Sequence, residues 1–364
     1  MIEPGATVQL RAELFEGLDS LGGVQEALQY AIQLEHATIP PYLYALYSLK
    51  PGANEEIAGL IGGVVAEEMA HLALAANVLN AIGGSPVIDR PGFIPTYPGP
   101  LPGGVDKGLT VHLAPFSKEV VEKTFMVIEH PEHIPDFPRG LDEAEPPQTT
   151  IGMFYTQISD AIAKLGEGIF IPDHSKQVVG GFSAVEVIPV TGVESAQAAI
   201  ETIIEQGEGT ATSPVDPDGR PGDLAHYFRF AEIVYGHQLV PNPNAGPDTP
   251  YDERWSYTGP EIPCDETGVL NLVSDPTVNG PKPTYAEGTT TRHLCDTFNY
   301  TYTSLLKSLH DTFNGRPDAL PAAIGLMWSL EQQFMEMTRT PADPNDPKGK
   351  LAAPSFEYQP VNPG

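Results

Sequence analysis

The stretch VVAEEMAHLAL, residues 64–74, sets a carboxylate at Glu68 and an imidazole at His71 into what otherwise reads as the apolar stripe of a helix. At 100° per residue both fall on the face of Ile57, Ile61, Val64, Leu72, Ala75, Leu79 and Ile82, so both point into a core. Upstream, Glu35 shares a face with Leu28, Ile32, Ile39, Tyr42 and Leu46. An ionised carboxylate buried alone is costly enough to force protonation. Acids on two neighbouring apolar faces therefore call for a shared counter-charge, which a metal ion supplies.

Level agrees with facing. If the chain turns near residue 51, Glu35 lies 16 positions before the turn and Glu68 lies 17 after it, so antiparallel helices bring the two side chains to one height. Glu68 and His71, at i and i+3, reach one centre from a single helix. A glutamate on one helix and Glu-x-x-His on the next is half the ligand set of a di-iron carboxylate bundle. For the other half, a second turn around Pro217 brings Glu208 level with His226, nine residues to either side, and Asp223 precedes His226 at i, i+3. Glu205 competes with Glu208; it projects away from Ile200, Ile203 and Ile204, which favours Glu208. Glu232 projects opposite His226 and reads as a solvent-facing or outer residue. The EHPEH run, Glu129 to His133, is broken by Pro131 and reads as polar loop, with a second metal site as the lesser alternative. Tyr42, Tyr155 and Phe230 are the candidates to line a substrate pocket.

The elements that must position these groups follow from periodicity and punctuation. Helices are expected over about 24–49, with a kink after Ile39 at Pro40 and Pro41, and over about 55–82, closed by Gly83 and Gly84. Further helices are expected at SKEVVEKTFMVIE with Ser117 as its cap, at QTTIGMFYTQISDAIAKL, at about 195–206, in DLAHYFRFAEIVYG, and near 291–313 and 319–338. LTVHLAPF and FSAVEVIPV alternate as short strands do. The 36 glycines and 38 prolines punctuate long loops between these blocks. Residues 1–240 read as the metal-binding helical bundle, and 241–364 as a loop-rich region whose two helices pack on it.

With 19 basic against 48 acidic residues the net charge is −29, which disfavours nucleic acid and anionic lipid as partners. The N-terminal segment lacks a basic stretch followed by an apolar run, and no segment reads as long enough to span a bilayer, so a cytoplasmic location is expected. Cys264 and Cys295 are too few for a thiolate metal site and are expected as two reduced thiols.

The stretches LEHATIPPYLYALYSL, EEMAHLALAANVLNAIGG, TIGMFYTQI, IEQGEGT, LAHYFRFAEI and APSFEY resemble the ferritin-like domain that is fused into the iminophenyl-pyruvate dimer synthase of violacein biosynthesis and also occurs as stand-alone bacterial proteins. The resemblance spans nearly the whole chain. It implies a mainly α, ferritin-like helical bundle with long loops, a few short strands and extra C-terminal helices, with Glu35, Glu68, His71, Glu208 and His226 at its centre. Two departures stand out: Met153 in TIGMFY, where a polar residue is common, and Asp223 where a symmetric site would offer glutamate. The fused relative joins two imines oxidatively, and its substrate does not carry over. The expected function is an oxidase or oxygenase with two iron ions, or manganese or a mixed pair, acting with O2 or peroxide on a small organic metabolite, an amino-acid-derived one being the candidate, as a small homo-oligomer. The competing readings are a ferritin-like iron-binding protein without organic substrate, and a metal-free binding bundle.

Overall fold

Two 27-residue helices, α1 (Leu21–Tyr47) and α2 (Glu55–Ala81), form the frame of the molecule. The computed structural model describes residues 17–102, 108–131, 150–182, 185–210, 213–215, 224–246, 249 and 253–359. Helix α1 starts where Ser20 Oγ accepts the Gly23 amide at 3.2 Å, an N-cap that satisfies one otherwise orphaned donor. It then runs through Pro40 and Pro41 to Tyr47 without interruption. Pro41 has no amide to offer the Ala37 carbonyl, and the Tyr97 hydroxyl donates to that carbonyl instead, at 2.7 Å.

The turn into α2 is pinned by Asn54, whose side chain donates to the Asp265 carbonyl at 2.9 Å and accepts the Asp265 amide at 2.7 Å. At its far end Gly83 takes φ = +79°, a conformation that favours glycine, and the Gly84 amide returns to the Leu79 carbonyl at 2.9 Å. Contrary to the sequence expectation, α2 is long and apolar enough to cross a membrane by composition; in the fold most of that apolar window is buried inside the protein, as suits the central helix of a bundle.

Helix α3 is short and composite. Ser117 caps it, accepting the Val120 amide at 3.1 Å, and Lys118–Val120 continues through a π-helical turn, Val121–Phe125, into Met126–Ile128. Helix α4 (Ile151–Leu165) is capped by Thr150 and buries Phe154, Tyr155, Ile158 and Ile162. Helices α5 (Val193–Glu208) and α6 (His226–Tyr235) complete the wall around α2, with α4 packed on α5 and both α5 and α6 touching α2.

FSAVEVIPV contributes to an antiparallel pair, β1 (Gly180–Phe182) with β2 (Val185–Val187), and a second small antiparallel pair is formed by β3 (Val240–Pro241) and β4 (Trp255–Ser256). The strand expected in LTVHLAPF does not form. It makes one isolated bridge, Val111 with Gly99, and its next paired donor, the Leu113 amide, goes to the Asp275 carboxylate at 2.8 Å instead of to a neighbouring strand.

Helices α7 (Thr290–Phe313) and α8 (Leu320–Met337) pack on each other. They are tied to the bundle by polar links, the Tyr302 hydroxyl with His36 Nε2 at 2.8 Å and Asn80 Nδ2 donating to the Phe313 carbonyl at 2.9 Å. Within APSFEY, Phe356 inserts among Phe298, Tyr302 and Phe334. Cys264 and Cys295 are both free thiols. The molecule is mainly helical, with few and short strands.

Candidate metal centre

Four elements converge on one buried cluster. Helix α1 presents Glu35, α2 presents Glu68 and His71, the C-terminal end of α3 presents Glu129, and the first turn of α6 presents His226. All five are buried, His226 completely. Their ligating atoms fall into two groups, Glu35–Glu68–His71 and Glu68–Glu129–His226, and within each group the atoms lie within 4.8 Å of one another. Glu68 belongs to both groups, which is the position of a carboxylate shared between two cations.

Each terminal carboxylate has its own tyrosine. The Tyr155 hydroxyl donates to Glu35 Oε1 and the Tyr42 hydroxyl to Glu129 Oε1, both at 2.5 Å, while Thr38 Oγ1 donates to Glu68 Oε2 at 2.8 Å. Both imidazoles turn Nδ1 inward and Nε2 outward. His71 Nδ1 lies 3.6 Å from Glu35 Oε2 and 3.9 Å from Glu68 Oε1; His226 Nδ1 lies 2.9 Å from Glu68 Oε1 and 3.4 Å from Glu129 Oε2. Outward, His71 Nε2 meets Gln206 Oε1 at 2.8 Å and His226 Nε2 meets Glu67 Oε2 at 2.9 Å. Arg229 clamps that Glu67 through Nη1 and Nη2, at 3.0 and 2.7 Å.

The electrostatics record how strongly this cluster wants positive charge. Burial, with Glu129 and Glu35 nearby, pushes the Glu68 carboxyl up to about 7. Burial alone would make the imidazoles less basic, but the surrounding carboxylates overcome it: His71 is raised by Glu35 and Glu68, and His226 well above its ordinary value by Glu129, Glu67 and Glu68. Glu67 moves the other way, to about 2, because His226 and Arg229 outweigh the burial that pushes it up. Burial and the adjacent carboxylates raise Tyr42 and Tyr155, so both stay protonated donors.

The residues fit a pair of metal ions. Hard carboxylate oxygens and imidazole nitrogens suit iron, manganese or zinc. His226 Nδ1 is fully buried and makes no well-formed hydrogen bond, although two carboxylate oxygens stand beside it. A nitrogen and oxygens converging without bonding one another is the disposition that ligands take toward a common cation.

Of the residues singled out from sequence, Glu35, Glu68, His71 and His226 come together here. Glu208 lies in the wall of the same cavity but joins neither ligand group; its Oε1 accepts the Gly152 amide at 2.7 Å in the first turn of α4, where a helix N-terminus favours negative charge. Asp223, like Glu132 and His133, lies outside the described residues. Tyr155 lines the cavity, whereas Tyr42 and Phe230 do not: Tyr42 stands behind Glu129, and Phe230 packs edge-on against Tyr42 at 5.2 Å. Glu205 faces the neighbouring cleft. Glu232 is neither solvent-facing nor in the cluster; it is buried, accepts the Leu239 amide at 2.7 Å, and burial raises it to about 7.

Sequence reasoning set Glu129 aside as loop and missed the partners Glu67, Gln206 and Arg229. The signal for Glu129 was its place four residues after Phe125 on a buried face, outweighed by the proline that follows. The cavity lined by Glu35, Glu68, His71 and Glu129 measures ≈ 20 Å³, room for a water-sized species. It shares Ile204 and Glu208 with a wider cleft of ≈ 500 Å³ between α4 and α5.

Comparison with known proteins agrees with this architecture. The chain is 25% identical over 390 aligned positions to the dichlorochromopyrrolate synthase of Lentzea aerocolonigenes, an alignment that takes in 91% of this chain and 35% of that enzyme. The chain thus spans about a third of the length of that relative. Among solved structures, a ferritin-like protein from Caulobacter vibrioides superposes with a TM-score of 0.56 at 24% identity, over 87% of this chain and 94% of that one, a likeness of fold. The family model described as ferritin-like matches residues 28–235, more than half of the sequence and every residue of the cluster. The chain belongs to the ferritin-like family.

Proposed function

We propose that the protein is a dinuclear-metal oxidoreductase, with iron as the favoured metal, that oxidises a small organic molecule with O2 or peroxide. One observation carries the reading: Glu68 is common to two buried carboxylate–imidazole groups. In this account Glu35 and His71 would hold one cation and Glu129 and His226 the other, with Glu68 available to both. When bound, such a metal pair would supply redox chemistry that the side chains lack. The chain's own contribution is to hold the ligands. Tyr155, Tyr42 and Thr38 each fix one carboxylate oxygen by donating a hydrogen bond, and the buried setting keeps bulk water away.

An organic substrate does not fit in ≈ 20 Å³. The adjoining cleft, walled by Thr156, Ser159, Gln197, Ile200 and Glu205, is the place for it, with Ile204 and Glu208 between cleft and cavity. The similarity to dichlorochromopyrrolate synthase supports a biosynthetic role on a small molecule. The decisive experiment is metal analysis of the purified protein and of a Glu68→Ala/His71→Ala variant, followed by oxygen uptake of the Fe(II)-loaded protein. Two equivalents of metal, lost in the variant while helicity survives, support the reading; no metal even after anaerobic Fe(II) loading sinks it.

The small size of the cavity favours a second reading, oxidation or holding of iron without an organic substrate. Oxygen uptake stoichiometric with added Fe(II), and unchanged by any amino-acid-derived imine or indole tested, would select it.

A further inference from the structure

The two halves of the cluster match in their inner residues and differ in one outer contact. Each has a terminal glutamate held by a tyrosine at 2.5 Å, a share of Glu68, and a histidine with Nδ1 inward. The outward nitrogens meet unlike partners. His71 Nε2 bonds the neutral amide of Gln206, whereas His226 Nε2 bonds the carboxylate of Glu67, which Arg229 fixes through Nη1 and Nη2.

A carboxylate that accepts a ring N–H draws the imidazole toward imidazolate and makes the opposite nitrogen a stronger metal ligand; an amide oxygen does so far less. The Glu67–Arg229 pair is net neutral, as Gln206 is. The halves therefore differ through the hydrogen bond on the ring and not through a net charge placed beside it. Arg229 also removes Glu67's freedom to turn toward the cavity, since both of its oxygens are engaged.

We infer that the centre is unequal by construction: Glu67 makes the His226 half the tight site that a divalent cation occupies first, and Gln206 leaves the His71 half as the weaker, exchangeable site. Glu67 and Gln206 are positioning residues acting through the two histidines. The inference rests on the dinuclear reading above.

Half-site variants test it by anaerobic calorimetric titration with Fe(II) or Mn(II). His71→Ala retains the His226 half, and His226→Ala retains the His71 half. The first is expected to bind one equivalent about 10- to 100-fold more tightly than the second, the range typical of outer partners of a metal-bound histidine. In otherwise intact protein, the paired change Glu67→Gln with Arg229→Leu, which keeps the net charge, is expected to weaken the first binding step by about tenfold or more and leave the second nearly unchanged. Gln206→Glu is expected to tighten the second step alone. Equal affinities in the two half-site variants overturn the inference. If a half-site variant loses its helical circular dichroism, the Gln206→Glu titration decides, and a second step that does not move overturns the inference. A wild-type protein that binds no metal at all would instead remove the dinuclear reading on which it stands.

Discussion

The Tyr42 hydroxyl donates to Glu129 Oε1 at 2.5 Å across 87 residues of sequence, joining the C-terminal part of α1 to the end of α3. Tyr42 is fully buried, with its ring edge-on to Phe125 at 4.6 Å and to Phe230 at 5.2 Å. Replacing it with phenylalanine keeps those ring contacts and removes only the donor. Tyr42→Phe should cost about 1–2 kcal/mol of stability in the metal-free protein. It should also weaken the metal held by Glu129 and His226 by about tenfold, because a ligating carboxylate loses its orienting partner. Thermal unfolding and metal titration of the same variant separate the two effects.

Variants at Glu129 and Glu208 test which of the two carboxylates ligates and which caps. Glu129→Ala should remove one metal equivalent. Glu208→Ala should retain both while destabilising the protein by about 1 kcal/mol, through loss of the carboxylate at the start of α4. Gly152→Ala repeats the second outcome by another route, since a Cβ at position 152 would stand 2.5 Å from Glu208 Oε2 and displace it. Metal content measured beside melting temperature checks all three. A Glu208→Ala protein that loses a metal ion would make Glu208 the ligand that the sequence suggested.

The cluster also predicts opposite pH responses with and without metal. Glu68 is raised to about 7 in the fold, so it binds a proton in the folded chain that it has already released in the unfolded one; its contribution to stability falls as pH rises from about 4.5 to 7. His71 and His226 are raised above 6.5, and their contribution is full below that pH and lost as pH climbs through their folded values. The three act in the same direction. Metal ligation requires these groups deprotonated, so binding must release protons and strengthen as pH rises. The melting temperature of loaded minus metal-free protein should therefore increase steadily from pH 5.5 to 8. A difference that is flat or falls over that interval would remove these residues from the ligand set.

Periodicity made the frame legible. The α1–α2 hairpin, its turn and the level of Glu35 against Glu68 all follow from apolar spacing and from the glycine and proline positions that bound each helix. What spacing could not supply were contacts made across elements. Glu129 looked like loop because Pro131 ends its helix, yet a carboxylate needs only the last turn to reach the centre. Glu208 is expected as a ligand from its level with His226, and it does arrive beside the cavity; its contact there with an α4 amide 56 residues away is one that spacing does not show. Gln206 and Glu67, the outer partners of the histidines, carry no sequence signal. An ordinary polar residue beside a glycine turn, and an acid next to the more conspicuous Glu68, acquire meaning only once α2, α5 and α6 are packed together.

Phe356 tests how the last part of the chain is secured. It lies in the left-handed region at φ = +51°, where a side chain costs about 1–2 kcal/mol, and that cost is outweighed by packing against Phe298 at 4.9 Å and Tyr302 at 5.3 Å. Tyr302 in turn bonds His36, the residue after the candidate ligand Glu35. Phe356→Ala should cost about 3–5 kcal/mol and, because one hydrophobic core runs from α1 to α8, should lower a single cooperative unfolding transition. If calorimetry instead shows a separate early transition with the metal centre intact after it, the C-terminal helices are an independent unit and the His36–Tyr302 contact carries little of the coupling.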